Sequence, residues 1–190
     1  MIDRVFPRTT LSTSRLVLRA FEPDDAADVH AAWNDEAYVW FAPKGFAHAG
    51  AGIEQAAEWC SHGAEEVRTA GKGINLAGTE RDGGRLLCHV ALFGVDWTAM
   101  TAEIHYWTGP WARGKGYAAE AGRAVARWAV TDLGFARIAL QALTGNAASL
   151  RVAESAGFRY EGTQRNAALT AAGRGDLAVY SLIPEDLGPA

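Results

Sequence analysis

The chain has 190 residues, enough for one domain of ordinary size with a substantial core. Hydrophobic residues make up 49% and charged residues 21%, a balance that excludes disordered and fibrous classes. The formal charge of -4 argues against a protein built to wrap nucleic acid.

No apolar run reaches the ~18 residues of a membrane span, and the opening MIDRVFPRTT lacks the apolar centre of a secretory signal. A cytoplasmic protein with no membrane partner is expected. Cys60 and Cys88 have no metal-binding spacing and suggest no disulfide framework; two small core residues are expected, and no metal. Neither an internal repeat nor a low-complexity linker interrupts the chain, which reads as one domain over 1–190.

The first strand is expected at Arg15–Phe21, where Leu16, Leu18 and Ala20 alternate with Arg15, Val17 and Arg19. Pro23, Asp24 and Asp25 then open a helix, with acids in its first turn. Over 51–70, Ile53, Ala56, Cys60, Ala64 and Val67 recur at steps of three and four and predict an amphipathic helix. Ile74–Thr79 and Leu86–Phe93 read as strands joined by a hairpin turn at Asp82-Gly83. A further strand is expected at Thr101–Trp107, with Ala102, Ile104 and Tyr106 on one face and Glu103, His105 and Trp107 on the other. From Gly116 to Asp132 the period becomes helical. Ala118, Ala121, Gly122, Val125 and Ala129 form its buried stripe, and Glu120, Arg123, Arg127 and Thr131 its wet face. A strand at Ile138–Leu143 follows, then a helix at Asn146–Ala156 closed by Gly157, then strands at Phe158–Gln164 and Leu177–Leu182. The pattern is mixed α/β (α+β), with strand runs flanking a strand–turn–helix–strand unit at 102–142.

The loop WARGKGYAAEA at 111–121 lies between a strand and a helix. A helix N-terminus leaves backbone N–H groups unpaired and carries partial positive charge. Gly114 and Gly116 let the backbone approach a ligand, so successive N–H groups form a nest for an anion such as phosphate. Arg113 and Lys115 add positive charge; the competing reading is a tight turn with solvated cations. Neither the Walker loop nor the dinucleotide fingerprint is present, the latter failing at Ala119.

The neighbours of this loop carry a resemblance. Arg113-Gly114-Lys115-Gly116-Tyr117-Ala118 fits the pattern [QR]-x-x-G-x-[GA], and Asn146, Ser149, Arg151, Val152, Glu154, Gly157 and Phe158 meet N-x-x-S-x-R-V-x-E-x-x-G-F. With the opening SRLVLRAFEPDDAADVHAAWND, these segments resemble the GNAT superfamily of N-acetyltransferases, in its RimJ/RimL-like branch. The resemblance implies a mostly antiparallel sheet with a V-shaped split between its central strands, flanked by about four helices. It implies acetyl-CoA as co-substrate, with its pyrophosphate on the backbone amides of 113–118. The pantetheine arm then lies beside Trp107 and Thr108, in a split between that strand and 138–143, within reach of Asn146.

The implied reaction is attack of a neutral amine on a thioester. It needs a hydrogen-bond donor for the carbonyl oxygen and a proton donor for the departing thiolate. Many relatives carry a tyrosine as acid at the position of Ala153 here; in the RimL-like branch a serine at the position of Ser149 serves instead. The competing reading of Ser149 is a helix cap. For a base, Glu103 and His105 share a strand face, while the position where some relatives keep a carboxylate holds Gln141. Without a strong base, an acceptor of low pKa is favoured. An α-amine with pKa about 7.7–8.0 is about a tenth neutral at pH 7, and a lysine near 10.4 well under a thousandth.

The acceptor pocket is expected from the first two helices and strand 86–94, near Trp33, Trp40, Phe41, Trp59 and Trp97, with Glu54, Glu58 and Asp96 available to attract a cation. Core packing and a homodimer contact are the competing readings of the tryptophans. The functional expectation is acetyl transfer to a protein N-terminal α-amine or a small-molecule, aminoglycoside-type amine. Its rivals are a non-catalytic acyl-CoA-binding module, an acyltransferase using another donor such as succinyl-CoA, and a nucleic-acid-binding domain using Arg113, Lys115, Arg123 and Arg127. The acidic total argues against the last, and no nucleic-acid partner is expected.

Overall fold

In the computed structural model, which describes residues 4–44, 48–171 and 173–188, eight strands form one sheet. In chain order they are β1 (Leu11–Ser12), β2 (Leu16–Arg19), β3 (Ile74–Glu80), β4 (Cys88–Asp96), β5 (Thr101–Thr108), β6 (Arg137–Leu143), β7 (Arg159–Thr170) and β8 (Gly173–Leu182). Their spatial order is β1-β2-β3-β4-β5-β6-β8-β7. All neighbours are antiparallel except β5 and β6. Those two run parallel because a crossover helix, α5 (Tyr117–Thr131), joins them. The other helices are α1 (Ala26–Trp33), α2 (Glu36–Phe41), α3 (Ile53–Glu58), α4 (Ala64–Thr69) and α6 (Ala147–Ser155). The expected mixed, mostly antiparallel architecture is present.

Alternation along the strands divides the apolar residues between two layers. On one face Leu16, Leu18, Val90, Ile104 and Ile138 pack with the predicted α5 stripe, of which Ala121, Val125 and Ala129 are fully buried. On the other face Val29, Trp33, Ala56 and Cys60 close over Ala77 and Trp107. The two faces of β5 are thus divided as its alternation predicts. Both cysteines are free and buried, and burial pushes each thiol up to about 12, well outside the range of a reactive thiolate.

Several expectations need correction. The helix over 51–70 contains a π turn at Trp59–Gly63. Ala56, Cys60 and Ala64 are buried as expected, but Ile53, the first residue of α3, is 49% exposed at the helix end. Glu120 is not a solvated residue: its carboxylate accepts hydrogen bonds from Thr13 Oγ1 at 2.6 Å, Ser14 Oγ at 3.0 Å and Arg15 Nε at 2.6 Å. Trp97 belongs to the core, where its indole N–H donates to the Gly71 carbonyl at 2.8 Å and its ring packs on Phe6 and Phe135. Asp25 does more than sit in a first turn. It is 5% exposed, is paired with Arg19 at 2.7 Å and accepts from the Glu22 N–H. Among the described residues, no helix is long and apolar enough to cross a membrane.

Candidate active site

The parallel pair β5–β6 holds together over three register positions only: Thr101↔Arg137, Ala102↔Ile138 and Glu103↔Ala139. Beyond Glu103, β5 stays paired with β4 as far as Thr108, and β6 stays paired with β8 as far as Leu143. The two strands therefore part, and the sheet opens in a V with Glu103 at its apex. Backbone groups on the β5 edge at 104–108 that would have served β6 face this opening. Buried backbone polar groups require partners, so an open strand edge inside a sheet is a place for a ligand with its own amides.

The glycine loop stands at the wide end of the V. Gly114 and Gly116 adopt φ of +77° and +80°, the left-handed region that L side chains rarely occupy. Gly116 is the N-cap of α5, and the helical ladder begins with Glu120 N–H to the Gly116 carbonyl at 3.1 Å. The N–H groups of Tyr117, Ala118 and Ala119 consequently have no helical partner. A Cβ at Gly114 would meet no atom within 4 Å, so the space above the loop is open.

The two cations of the loop differ from each other. Lys115 is exposed, but Arg113 pairs with Asp35, whose carboxylate also caps α2 by accepting the Tyr38 N–H at 3.1 Å. A residue outside the predicted site holds the loop in place. Arg15 donates to the Lys115 carbonyl at 2.9 Å, lies over the Tyr117 ring at 4.8 Å and pairs with Glu120 at 2.6 Å. Burial would raise the Glu120 carboxyl, but hydrogen bonds from Thr13 and Arg15 outweigh it and hold the group below its usual range. The loop is thus clamped to β2 at neutral pH, and Arg15 with Glu120 escaped the sequence reading because they match no ligand motif.

On the α5–α6 side of the V, Asn146 caps α6 by accepting the Ser149 N–H at 3.1 Å. That leaves the Ser149 hydroxyl for another task. It lies 2.8 Å from the hydroxyl of Tyr106, whose single proton can go to Ser149 Oγ or to the Ser149 carbonyl at 3.1 Å. Tyr106 therefore reaches from β5 to α6, and sequence reading assigned it only to a core face. Burial is the main reason its phenol rises to about 12. Ala153, where many relatives carry an acidic tyrosine, is fully buried among core residues.

On the opposite face of β4 and β5 lies a cavity of about 270 Å³. Its sheet-side wall carries His89, Phe93, His105 and Trp107, and its helix-side wall Trp33, Tyr38, His48 and Trp59. The aromatic rings abut one another: His48 stacks on Trp33 at 4.4 Å and meets Trp59 at 4.7 Å, and His89 lies 5.1 Å from His105. The Trp107 side chain belongs here, so only its backbone stands on the V edge. Of the five aromatic residues expected near the acceptor, Trp33 and Trp59 line this cavity. Trp40 and Phe41 border a separate groove with Thr144, Arg174 and Asp176. Glu54, Glu58 and Asp96 do not line it; the Asp96 carboxylate accepts from the Thr98 and Ala99 N–H groups.

His105, one of the two base candidates, lines the cavity, while Glu103 stays at the apex. Burial is the main cause that lowers His105 to about 4, and it carries His89 well below the usual histidine range. Both rings are neutral at pH 7. His89 is held by the Asn75 side-chain oxygen, 3.0 Å from its Nε2, which therefore carries the proton. Folded-state pKa values below the unfolded value mean that, as pH falls from about 6.5, the unfolded chain takes up protons the folded chain refuses. Stability is thus expected to fall between pH 6.5 and 5 in urea titrations, by up to about 1.4 kcal/mol per pH unit for each such histidine. His105→Phe is expected to make that fall shallower; an equally steep fall in the variant contradicts this assignment.

A parallel strand pair splayed at the foot of a glycine-capped helix N-terminus is the arrangement that the sequence resemblance implied. Residues 15–159 match the Acetyltransferase (GNAT) domain, and the chain belongs to that acetyltransferase family. It is 33% identical over 103 residues to YdaF of Bacillus subtilis (strain 168), which is named by inference a ribosomal N-acetyltransferase. That match covers 54% of this chain and only 56% of YdaF, so the chain spans little more than half of that relative's length. A solved structure named a probable acetyltransferase is 25% identical, covers 94% of this chain and 99% of its own, and superposes with a TM-score of 0.80. RimJ of Mycobacterium smegmatis, solved with a coenzyme A disulfide, shares the fold at a TM-score of 0.80 and 19% identity, over 92% of this chain and 85% of its own.

Proposed function

We propose that this one-domain chain transfers the acetyl group of acetyl-CoA to a primary amine by direct attack within a ternary complex. The acceptor is a protein N-terminal α-amine or a small-molecule amine. The observation that carries this reading is the ending of β5–β6 pairing at Glu103↔Ala139, which opens the V at whose wide end the left-handed Gly116 caps α5.

The residues present fit an acyl-coenzyme A. The unpaired N–H groups of Tyr117, Ala118 and Ala119 suit a pyrophosphate, with Gly114, Lys115 and Gly116 around it and Arg113 at its edge. The β5 edge through Trp107 and Thr108, with Asn146 opposite, suits the amides of a pantetheine arm. When bound, the co-substrate supplies an activated acetyl group. The chain supplies orientation, which alone offsets roughly 7–11 kcal/mol in well-aligned reactions. Ser149 Oγ, backed by the Tyr106 hydroxyl, is the proton donor at the mouth of the V. Neutral His105 and the apical Glu103 are the groups able to take up a proton from the amine, and a histidine lowered to about 4 does so weakly. An amine that arrives neutral is therefore favoured, which points to low-pKa α-amines.

The test is thiol release from acetyl-CoA with a panel of primary amines, repeated with succinyl-CoA. Amine-dependent release that prefers acetyl-CoA is the expected result. Tight coenzyme A binding without amine-dependent release replaces this reading with that of a non-catalytic acyl-CoA-binding module.

A further inference from the structure

The cavity on the face of His105 and Trp107 has a chemistry of its own. Its rings come from separate elements: Trp33 on α1, Tyr38 on α2, Trp59 in the π turn between α3 and α4, and Phe93 and Trp107 on β4 and β5. Trp33 and Trp107 are 2% and 6% exposed, so they form a fixed floor; Phe93, 43% exposed, stands at the rim. Among the described residues that line it, none is an aspartate, glutamate, lysine or arginine. Its histidines are neutral, since burial lowers His48, His89 and His105 alike.

A polyamine or aminoglycoside enters with several ammonium groups. Each buried one needs a carboxylate partner, because stripping water from an unpaired ion costs several kcal/mol. A cation–π contact returns only about 0.5–2 kcal/mol. A free amino acid would likewise bring a carboxylate with no cation to meet it. A flat uncharged body meets the opposite situation, with ring faces on both walls and no desolvated charge.

Resting on the acetyl-transfer reading, the geometry points to a primary amine borne on a single uncharged aromatic body, such as the α-amine of an aromatic amino-acid amide or of an aromatic N-terminal residue, as the acceptor this cavity takes. The ring lies between Trp33–Trp59 and the His105–Trp107 wall, and the amine points toward the V edge of β5, on which the backbone of both wall residues stands. The volume of about 270 Å³ suits one ring system and sits at the low end of the roughly 300–1,000 Å³ usual for ligand pockets.

Two readouts test this: steady-state thiol release with phenylalaninamide, alaninamide, phenylalanine and spermidine, and calorimetric titration of phenylalaninamide into the chain without acetyl-CoA. Phenylalaninamide is expected to exceed alaninamide and spermidine in kcat/KM by about tenfold or more, the size of burying one ring. Phe93→Ala, at an exposed rim position, is expected to raise KM and weaken binding for phenylalaninamide more than for alaninamide, narrowing the ratio between them; Trp59→Leu is the second variant. Spermidine or alaninamide used as well as phenylalaninamide, or phenylalaninamide failing to bind, overturns the inference and leaves acetyl transfer standing. Phenylalaninamide binding that depends on Phe93, with no thiol release from any amine, supports the cavity assignment and removes acetyl transfer instead.

Discussion

Gly116→Val is expected to weaken coenzyme A binding by about 100-fold. Two costs combine. A side chain at φ +80° sits in a region that costs an L residue roughly 1–2 kcal/mol, more when β-branched. The added side chain also meets the Arg15 guanidinium, 3.6 Å from where a Cβ would stand, and so disturbs the loop that presents the N–H groups of Tyr117, Ala118 and Ala119; each charge-assisted bond lost is worth about 1.5–3 kcal/mol. A total near 3 kcal/mol or more corresponds to about two decades in affinity. Gly114→Val, at φ +77°, is expected to behave similarly. Lys115→Ala and Arg113→Ala should cost less than about tenfold, since the first removes one exposed charge and the second a guanidinium already engaged by Asp35. Calorimetry with coenzyme A, alongside thermal unfolding to exclude a folding defect, gives the ranking. A larger loss at Lys115→Ala than at Gly116→Val would mean that side-chain charge, not the backbone, holds the anion.

Ser149→Ala is expected to lower kcat by about 100-fold, the lower end of what a positioned acid contributes, with the affinity for acetyl-CoA almost unchanged. The Ser149 N–H remains capped by Asn146 in this variant, so α6 keeps its start and the effect reports on the hydroxyl. Tyr106→Phe removes the group that orients that hydroxyl at 2.8 Å and is expected to cost about tenfold in kcat, as a positioning residue. In neither variant should the rise of kcat/KM with pH move, because it follows deprotonation of the amine. A kcat within about threefold of wild type in Ser149→Ala assigns the proton to another donor.

The site was legible where chemistry is local. The glycines at 114 and 116 announce a left-handed loop, and Asn146-x-x-Ser149 announces a capped helix whose first turn faces the V; both are matters of a few adjacent residues. The alternation of β5 correctly divided Tyr106 from His105 and Trp107 between two faces. What those faces meet was not legible, because it depends on pairing across the chain. Tyr106 finds Ser149 only because β5 and β6 splay, and Arg113 finds Asp35 only because α2 folds against the loop. The clamp between Arg15 and Glu120 spans 105 positions and follows no period.

The fold shows the same division. The buried stripe of α5 was readable as an unbroken helical period. Its relative in α3 and α4 was misread at Ile53, which opens α3 and stands exposed at the helix end, and the π turn at Trp59–Gly63 leaves no mark in a pattern of period 3.6. The outer halves of β7 and β8 were missed because 165–169 is mostly exposed and 173–176 mostly only half-buried, so neither offers an alternation of apolar and polar residues. β1 and α2 are too short to carry a period at all. Trp97 was set near the acceptor because tryptophans suit binding sites, yet its N–H is satisfied by the Gly71 carbonyl inside the core.

A structure of the chain with bound acetyl-CoA tests the central assignment most directly. The pyrophosphate is expected within hydrogen-bonding distance of the backbone amides of 113–119, with the pantetheine arm along the β5 edge at 104–108 and the sulfur beside Ser149 Oγ. A pyrophosphate bound away from the Gly114–Gly116 loop, or a sulfur out of reach of Ser149 with the arm outside the V, contradicts it.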